Sequence, residues 1–226
     1  MRLNITISPS RQVVPFVHQR MLAGVIHKWI GENEEHGALS LYSFSRLINA
    51  QKGGGGLVFP KGTSFFISAY DRSLLHRIIK GVQKDPTMFG GLVVDEVQIL
   101  SDPDLSETSR FCCGSPLFVK ENVGNNQKHL LYNDPRSNEV MRRILCKKMD
   151  SVGYEYGDFE IYFDQAYPRA STKIIKYKSK SREIANRCNI CPVIIKGDQR
   201  VKQFAWNVGL GSSTGIGFGA ITATSS

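Results

Sequence analysis

The sequence predicts an α+β protein, and three observations carry this. Residues 1–101 alternate strand and helix signatures in the order β-α-β-β-α-β. Residues 113–226 repeat that order more loosely. The chain then closes on a glycine-dense turn, Gly209-Leu210-Gly211-Ser212-Ser213-Thr214-Gly215-Ile216-Gly217-Phe218-Gly219, between a helical stretch and a short last strand. The first order is the split-βαβ, or ferredoxin-like, pattern. At 226 residues, 41% hydrophobic and 22% charged, the chain suffices for one large domain or two ordinary ones.

Residues 2–8 alternate as a strand, with Leu3, Ile5 and Ile7 on one face, and Ser8-Pro9-Ser10 ends it. Residues 15–30 predict a helix whose stripe is Val17, Met21, Leu22, Val25, Ile26 and Trp29, stopped by Gly31. Residues 39–48 and 56–69 predict a strand pair about the flexible turn Lys52-Gly53-Gly54-Gly55-Gly56. Residues 71–82 predict a second helix with Asp71 as N-cap, and residues 92–100 a further strand. Asp102-Pro103 opens a polar linker, 102–112.

Beyond it, 117–119 and 130–132 read as short strands across a polar turn. Residues 135–152 read as a helix with the stripe Val140, Ile144, Leu145 and Met149. Strands follow at 159–163, 173–177 and 183–196, the last two flanking the basic turn Lys178-Ser179-Lys180-Ser181. In the final helical stretch Val201, Phe204, Ala205 and Val208 recur at helical spacing.

No apolar run reaches the length of a membrane span, and the start of the chain lacks the apolar core of a signal peptide. The expectation is a cytoplasmic protein with no membrane partner. Five cysteines are an odd number for a disulfide framework. Cys188-Asn189-Ile190-Cys191 has the spacing of a metal knuckle, but no second pair matches it. It also falls on a strand, where positions i and i+3 face opposite sides. No metal or other cofactor is expected. The glycine turn fits neither a Walker loop nor a dinucleotide fingerprint: no Gly-Lys-Ser/Thr follows, and it lies at the wrong end of the chain.

The net charge is +9, with a pI near 9.4. Residues 171–202 hold nine lysines and arginines against two acids, a net +7. Such a local excess attracts polyanions. Lys173, Lys176, Lys178, Lys180, Arg182 and Arg187 make residues 173–187 the candidate phosphate-gripping hairpin. Gly209, Gly211, Gly217 and Gly219 lie in a loop whose bare N–H groups can wrap a phosphate or a strand of nucleic acid.

Of five histidines, His27 sits late in the first helix, above Ala23 and Gly24 and nearly in line with Arg20. That small face leaves room for a bulky ligand. His36 lies in the polar loop after the helix, His18 sits nearer the apolar stripe as a structural residue, and His76 and His129 have no chemical neighbour in the sequence.

The spacing Gly-Leu-Gly, five residues, Gly-Phe-Gly near the C-terminus resembles the glycine-rich loop of the repeat-associated mysterious proteins. More narrowly, the whole chain resembles the CRISPR repeat-RNA-processing endoribonucleases. The resemblance implies two ferredoxin-like domains in tandem, 1–101 and 113–226. The stretch His18-Gln19-Arg20-Met21-Leu22-Ala23-Gly24-Val25-Ile26-His27 is similar to the family's first helix, and Leu41-Tyr42-Ser43 to its second strand. It implies His27 and His36 as catalytic residues, His27 standing where some members carry a tyrosine. Some members place a catalytic lysine just before the second strand, where this chain reads Gly37-Ala38-Leu39-Ser40. Lys28, Lys52 or Arg20 could supply that cation, or two histidines suffice.

Two histidines suit cleavage by the RNA's own 2′-hydroxyl, since histidine titrates near neutrality. The partner implied is CRISPR repeat RNA, and other CRISPR effector-complex subunits or a homodimer are compatible with it. The rival reading is a non-catalytic RNA-binding subunit of an interference complex with the same fold.

Overall fold

The computed structural model describes residues 1–31, 39–124, 126–179 and 182–223. The first half contains β1 (Arg2–Ile7), β2 (Ser10–Val14), α1 (Gln19–Ile30), β3 (Tyr42–Phe44), β4 (Gln51–Gly53), β5 (Gly56–Phe59), β6 (Thr63–Ala69), α2 (Arg72–Lys84) and β7 (Val94–Leu100). Its main sheet has the order β3-β6-β1-β7, antiparallel throughout. Leu3, Ile5 and Ile7 of β1 face the two helices, packing in one core with Leu22 and Ile26 of α1 and Leu75 and Ile78 of α2.

The second half contains β8 (Arg110–Cys113), β9 (Lys120–Val123), β10 (Asn126–His129), α3 (Arg136–Asp150), β11 (Glu160–Phe163), β12 (Ser171–Ser179), β13 (Arg182–Ile190), β14 (Val193–Lys196), α4 (Gln199–Val208) and β15 (Ile221–Ala223). The sheet order is β11-β14-β8-β15. Numbered within each half, both sheets run second-third-first-fourth, so the looser second pattern of the sequence is the same ferredoxin-like topology. Phe111, Leu145, Met149, Ile161, Val193 and Phe204 are in its core.

Both halves also carry insertions at equivalent places, after the first strand and between the second and third. In the first half these are β2 and β4–β5, which join as the small sheet β2-β5-β4. In the second they are the hairpins β9–β10 and β12–β13.

Several expected boundaries move, for physical reasons. α1 begins at Gln19 rather than at residue 15. Val13 and Val14 are β-branched, and Pro15 pushes the residue before it into extended backbone, so β2 forms instead. Val17 and Met21, expected in the helix stripe, are exposed, while Ala23 and Ile30 are buried. The strand pair over 39–48 and 56–69 shrinks to β3 with β6, and β5 leaves to pair with β2 and β4. Residues 110–112, expected in the linker, lie in β8 and pair with β14 and β15. The strand over 183–196 breaks at Cys191-Pro192, since proline supplies no ladder donor. Asp71 caps α2 as expected, its carboxylate accepting from Ser73 N–H at 2.8 Å. Among the described residues no helix is long and apolar enough to cross a membrane.

The halves are stapled by Arg2, which is 3% exposed. Its guanidinium lies between the Phe66 and Trp206 rings, 3.7 and 3.3 Å from their centroids. It donates to Ser68 Oγ at 2.6 Å and to the Ile221 carbonyl at 2.8 Å. Burial lowers its pKa to about 9, still well charged at neutrality. Removing it strands two buried acceptors and opens the ring stack. Arg2→Met should therefore destabilise the fold by about 2–4 kcal/mol in urea titrations, and Arg2→Lys should recover only part, lacking the planar fork. Full recovery by lysine would refute the bidentate staple.

Candidate active site

α1 ends at Gly31 and presents His27 from its last turn. His27 Nε2 lies 3.1 Å from the Tyr42 hydroxyl on β3 and 3.4 Å from the Gly215 carbonyl. The Tyr42 hydroxyl donates to the same carbonyl at 3.0 Å. With that hydrogen on Gly215, the phenol oxygen can accept from His27 Nε2–H, a proton assignment that suits these three distances. Tyr42, on the second strand, thereby stands beside His27 in the candidate site.

The turn meets β3 closely. A Cβ at Gly215 would collide with the Ser40 hydroxyl and stand 3.0 Å from the Tyr42 hydroxyl. Gly219, at φ +71°, is just as constrained: a Cβ there would overlap the Leu210 carbonyl. Gly209, Gly211 and Gly217 are likewise buried against protein, beside Ser43, Phe118 and Gln19 respectively. The turn is thus packed between the halves.

Beneath it lies Lys148 of α3, 3% exposed. Its Nζ donates to the Val208 carbonyl at the end of α4 (3.0 Å) and to Thr214 Oγ1 (2.9 Å). Thr214 Oγ1 in turn donates to the Ser40 carbonyl at 3.3 Å. Desolvation pushes the Lys148 pKa down to about 7. On α3 Lys148 falls at helical spacing between Ile144, Leu145 and Met149, so the helix itself turns it toward the core, and the turn supplies Thr214 as its partner.

The other candidates fall as follows. His36 lies outside the described residues. His18 is buried at the start of α1, 3.2 Å from the Pro15 carbonyl, and burial lowers its pKa, consistent with a structural role. His76 is exposed on α2, and the His129 ring packs edge-on to Phe118. Lys28 is turned away to Asp85, at 2.8 Å, and to the Thr87 carbonyl. Lys52 sits on the small sheet. Arg20 lies on the His27 side of α1, at the edge of a hollow against the β12–β13 hairpin.

That hairpin is fully paired from Ser171↔Ile190 to Ser179↔Arg182. Asn189 anchors its base, donating to the Leu130 carbonyl at 3.1 Å and accepting from Tyr132 N–H at 2.9 Å. Ile175 and Cys188 turn inward with Phe118 and Phe218, leaving Lys173, Lys176 and Arg187 exposed. Lys176 pairs with Glu183 at 3.0 Å. Lys178 and Arg182 hold places on the two strands, and Lys180 lies outside the described residues. Not every cation of the basic segment faces outward: Lys202 is buried, donating to the Ser106 carbonyl at 2.8 Å. Among the described residues no three His, Cys, Asp or Glu side chains gather as a metal site.

Lys148 generates a pH test. Its native pKa lies below the unfolded value, so the unfolded chain binds more protons between about pH 7 and 10.5. Stability contributed at this position therefore rises with pH through that window. Relative to Lys148→Met, the wild type should gain stability between pH 7 and pH 9.5 in denaturant titrations. Parallel curves for the two proteins would mean the amine is not buried as described.

Comparisons with known proteins bear on this site. Residues 100–223 match the family model described as CRISPR associated protein Cas6, C-terminal. No curated protein sequence matches the chain significantly. Among solved structures, one described as CRISPR associated protein Cas6 aligns with a TM-score of 0.83 at 20% identity, covering 100% of this chain and 99% of its own. A second, described as a RAMP protein binding different RNA substrates, aligns at 0.80 and 20% identity, covering both chains completely. A third, described as a Cas6 product complex, aligns at 0.66 and 12% identity over 99% of each chain.

Proposed function

The chain belongs to the Cas6 family of CRISPR-associated proteins, and from that membership we propose that it is an endoribonuclease that cuts CRISPR precursor RNA within its repeats without a metal ion. The observation that carries the proposal is the position of His27: at the end of α1, beside Tyr42 and the glycine turn, on the side of the helix that faces the cationic hairpin. The aligned structure described as a RAMP protein binding different RNA substrates supports the substrate class.

In the proposed reaction one neutral imidazole, of His27 or His36, removes the 2′-hydroxyl proton. The 2′-oxygen attacks the adjacent phosphorus as the bond to the 5′-oxygen breaks, and the other histidine, as imidazolium, protonates that leaving oxygen. The products are a 2′,3′-cyclic phosphate and a 5′-hydroxyl. The nucleophile is already tethered to its phosphate, so alignment supplies much of the rate. Tyr42 and the Gly215 carbonyl hold the His27 ring in place. Arg20, on the same side of α1, is the proposed partner of the phosphorane charge, since Lys28 is engaged by Asp85. Lys173, Lys176, Lys178, Lys180, Arg182 and Arg187 are proposed to bind phosphates. The glycine turn is proposed as the brace that keeps the two halves, and so hairpin and His27, in register.

His27→Ala should lower single-turnover cleavage of repeat RNA by ~10²–10⁴, with affinity little changed. Cleavage should persist in EDTA, and a 2′-deoxy nucleotide at the cut should abolish it. His18→Ala is the control: it should lower thermal stability and spare the chemistry. Tight binding of an intact repeat, with no product, would instead favour a non-catalytic RNA-binding subunit.

Reversing charge at Lys173, Lys176 and Arg187 together should weaken repeat-RNA binding. It should also reduce the slope of log affinity against log salt by about two, from ~0.7 per phosphate contact on single-stranded RNA. An unchanged slope would move the binding surface off the hairpin.

A further inference from the structure

A hollow of about 220 Å³ opens between α1, the β12–β13 hairpin and the glycine turn. Its walls are apolar: Ala23 on α1, Ile175 and Ile184 on the two hairpin strands, Ile216 and Phe218 on the turn. Gln19 and Arg20 stand at its edge. The Gln19 amide is held there by donating to the Gly217 carbonyl. Ala23 lies one helical turn before His27, a rise of ~6 Å along the axis.

These walls suit a phosphate poorly: among the described residues Arg20 is the one charged residue in the lining, and the aliphatic side chains around it replace little of a phosphate's hydration. The cations that suit phosphates, Lys173, Lys176 and Arg187, stand exposed on the hairpin outside. A flat, weakly polar ring with hydrogen-bonding groups on one edge fits both features: its faces against the aliphatic walls and Phe218, its edge toward Gln19 and Arg20. RNA that is read in sequence offers that shape as an unstacked base. Phosphates on the hairpin and a base in the hollow divide the labour between positioning and reading.

We propose that this hollow receives one unstacked nucleobase of the bound RNA, that of a nucleotide beside the scissile phosphate. The inference rests on the RNA-cleaving function proposed above and adds a sequence-reading pocket to it. Gln19 then reads the edge of that base, Arg20 beside it stays with the adjacent phosphate, and the size of Ala23 keeps space for the ring. Ile216, 40% exposed at the tip of the turn, closes over it as a lid fixed by the turn's own packing.

The test uses the full chain and repeat RNAs carrying a single abasic site at each position flanking the cut. Single-turnover rate and dissociation constant are both measured. In the wild type one flanking position should show a penalty of about tenfold or more, in rate, affinity or both. In Ile216→Ser, which alters an exposed side chain, and in Ala23→Leu, which fills the hollow, intact RNA should fall toward the abasic level and the penalty at that position should shrink or vanish. No flanking penalty in the wild type overturns the pocket, as does a penalty that survives at full size in Ile216→Ser. Binding without cleavage overturns the proposed reaction alone, because the scan is then read in dissociation constants. Cleavage with a flat scan overturns the pocket alone. A protein that binds no repeat RNA overturns both.

Discussion

The Gly215 carbonyl is the contact on which the rest of this structure depends. It belongs to the last loop of the chain, yet it accepts the Tyr42 hydroxyl and faces His27, both from the first half. A buried phenol needs a hydrogen-bond partner, and this one finds it in a backbone that approaches only because no Cβ intervenes. The same turn carries Thr214, which ties Lys148 of α3 to the Ser40 carbonyl just before β3. Ring, phenol and helix are thereby held in one cooperative cluster. The orientation of the two halves is settled there, and at Arg2 on the other side of β1, rather than by a continuous sheet.

Burying Lys148 without a carboxylate beside it is costly for a charged amine and mild for a neutral one. Desolvation brings its pKa close to neutrality, while two hydrogen bonds satisfy the amine in either state. Arg2 solves the same problem differently. Its guanidinium stays charged because aromatic faces and oxygen acceptors replace much of the water it gives up.

The two halves share a sheet order and the places of their insertions, and they differ in how the insertions are used. In the first half β2, β4 and β5 close on one another as a small sheet. In the second, β12 and β13 extend as a free hairpin whose inner residues dock on Phe118 and Phe218 and whose outer residues are cationic. One scaffold thus carries, in one half, the helix end that bears His27 and, repeated, a charged arm between scaffold strands.

What the sequence by itself determined is what neighbours along the chain decide. The order of strands and helices, the Asp71 cap, the helical spacing of Val201, Phe204 and Val208, the cationic hairpin and the glycine-dense turn all depend on residues a few positions apart. Local patterning misled where two local signals competed: Pro15 against the helical spacing of 15–30, and the long apolar run of 56–69 against its division between two sheets. The small helix face around His27 follows from spacing along the chain, whereas the contact of His27 with Tyr42 does not. The tertiary structure alone decided that Gly215 meets Tyr42 and His27 across 173 and 188 residues and that Arg2 threads between Phe66 and Trp206. Such contacts join residues far apart in the chain where two cores meet, and that meeting depends on the shape and chemistry of whole surfaces, which no short-range period in the chain encodes.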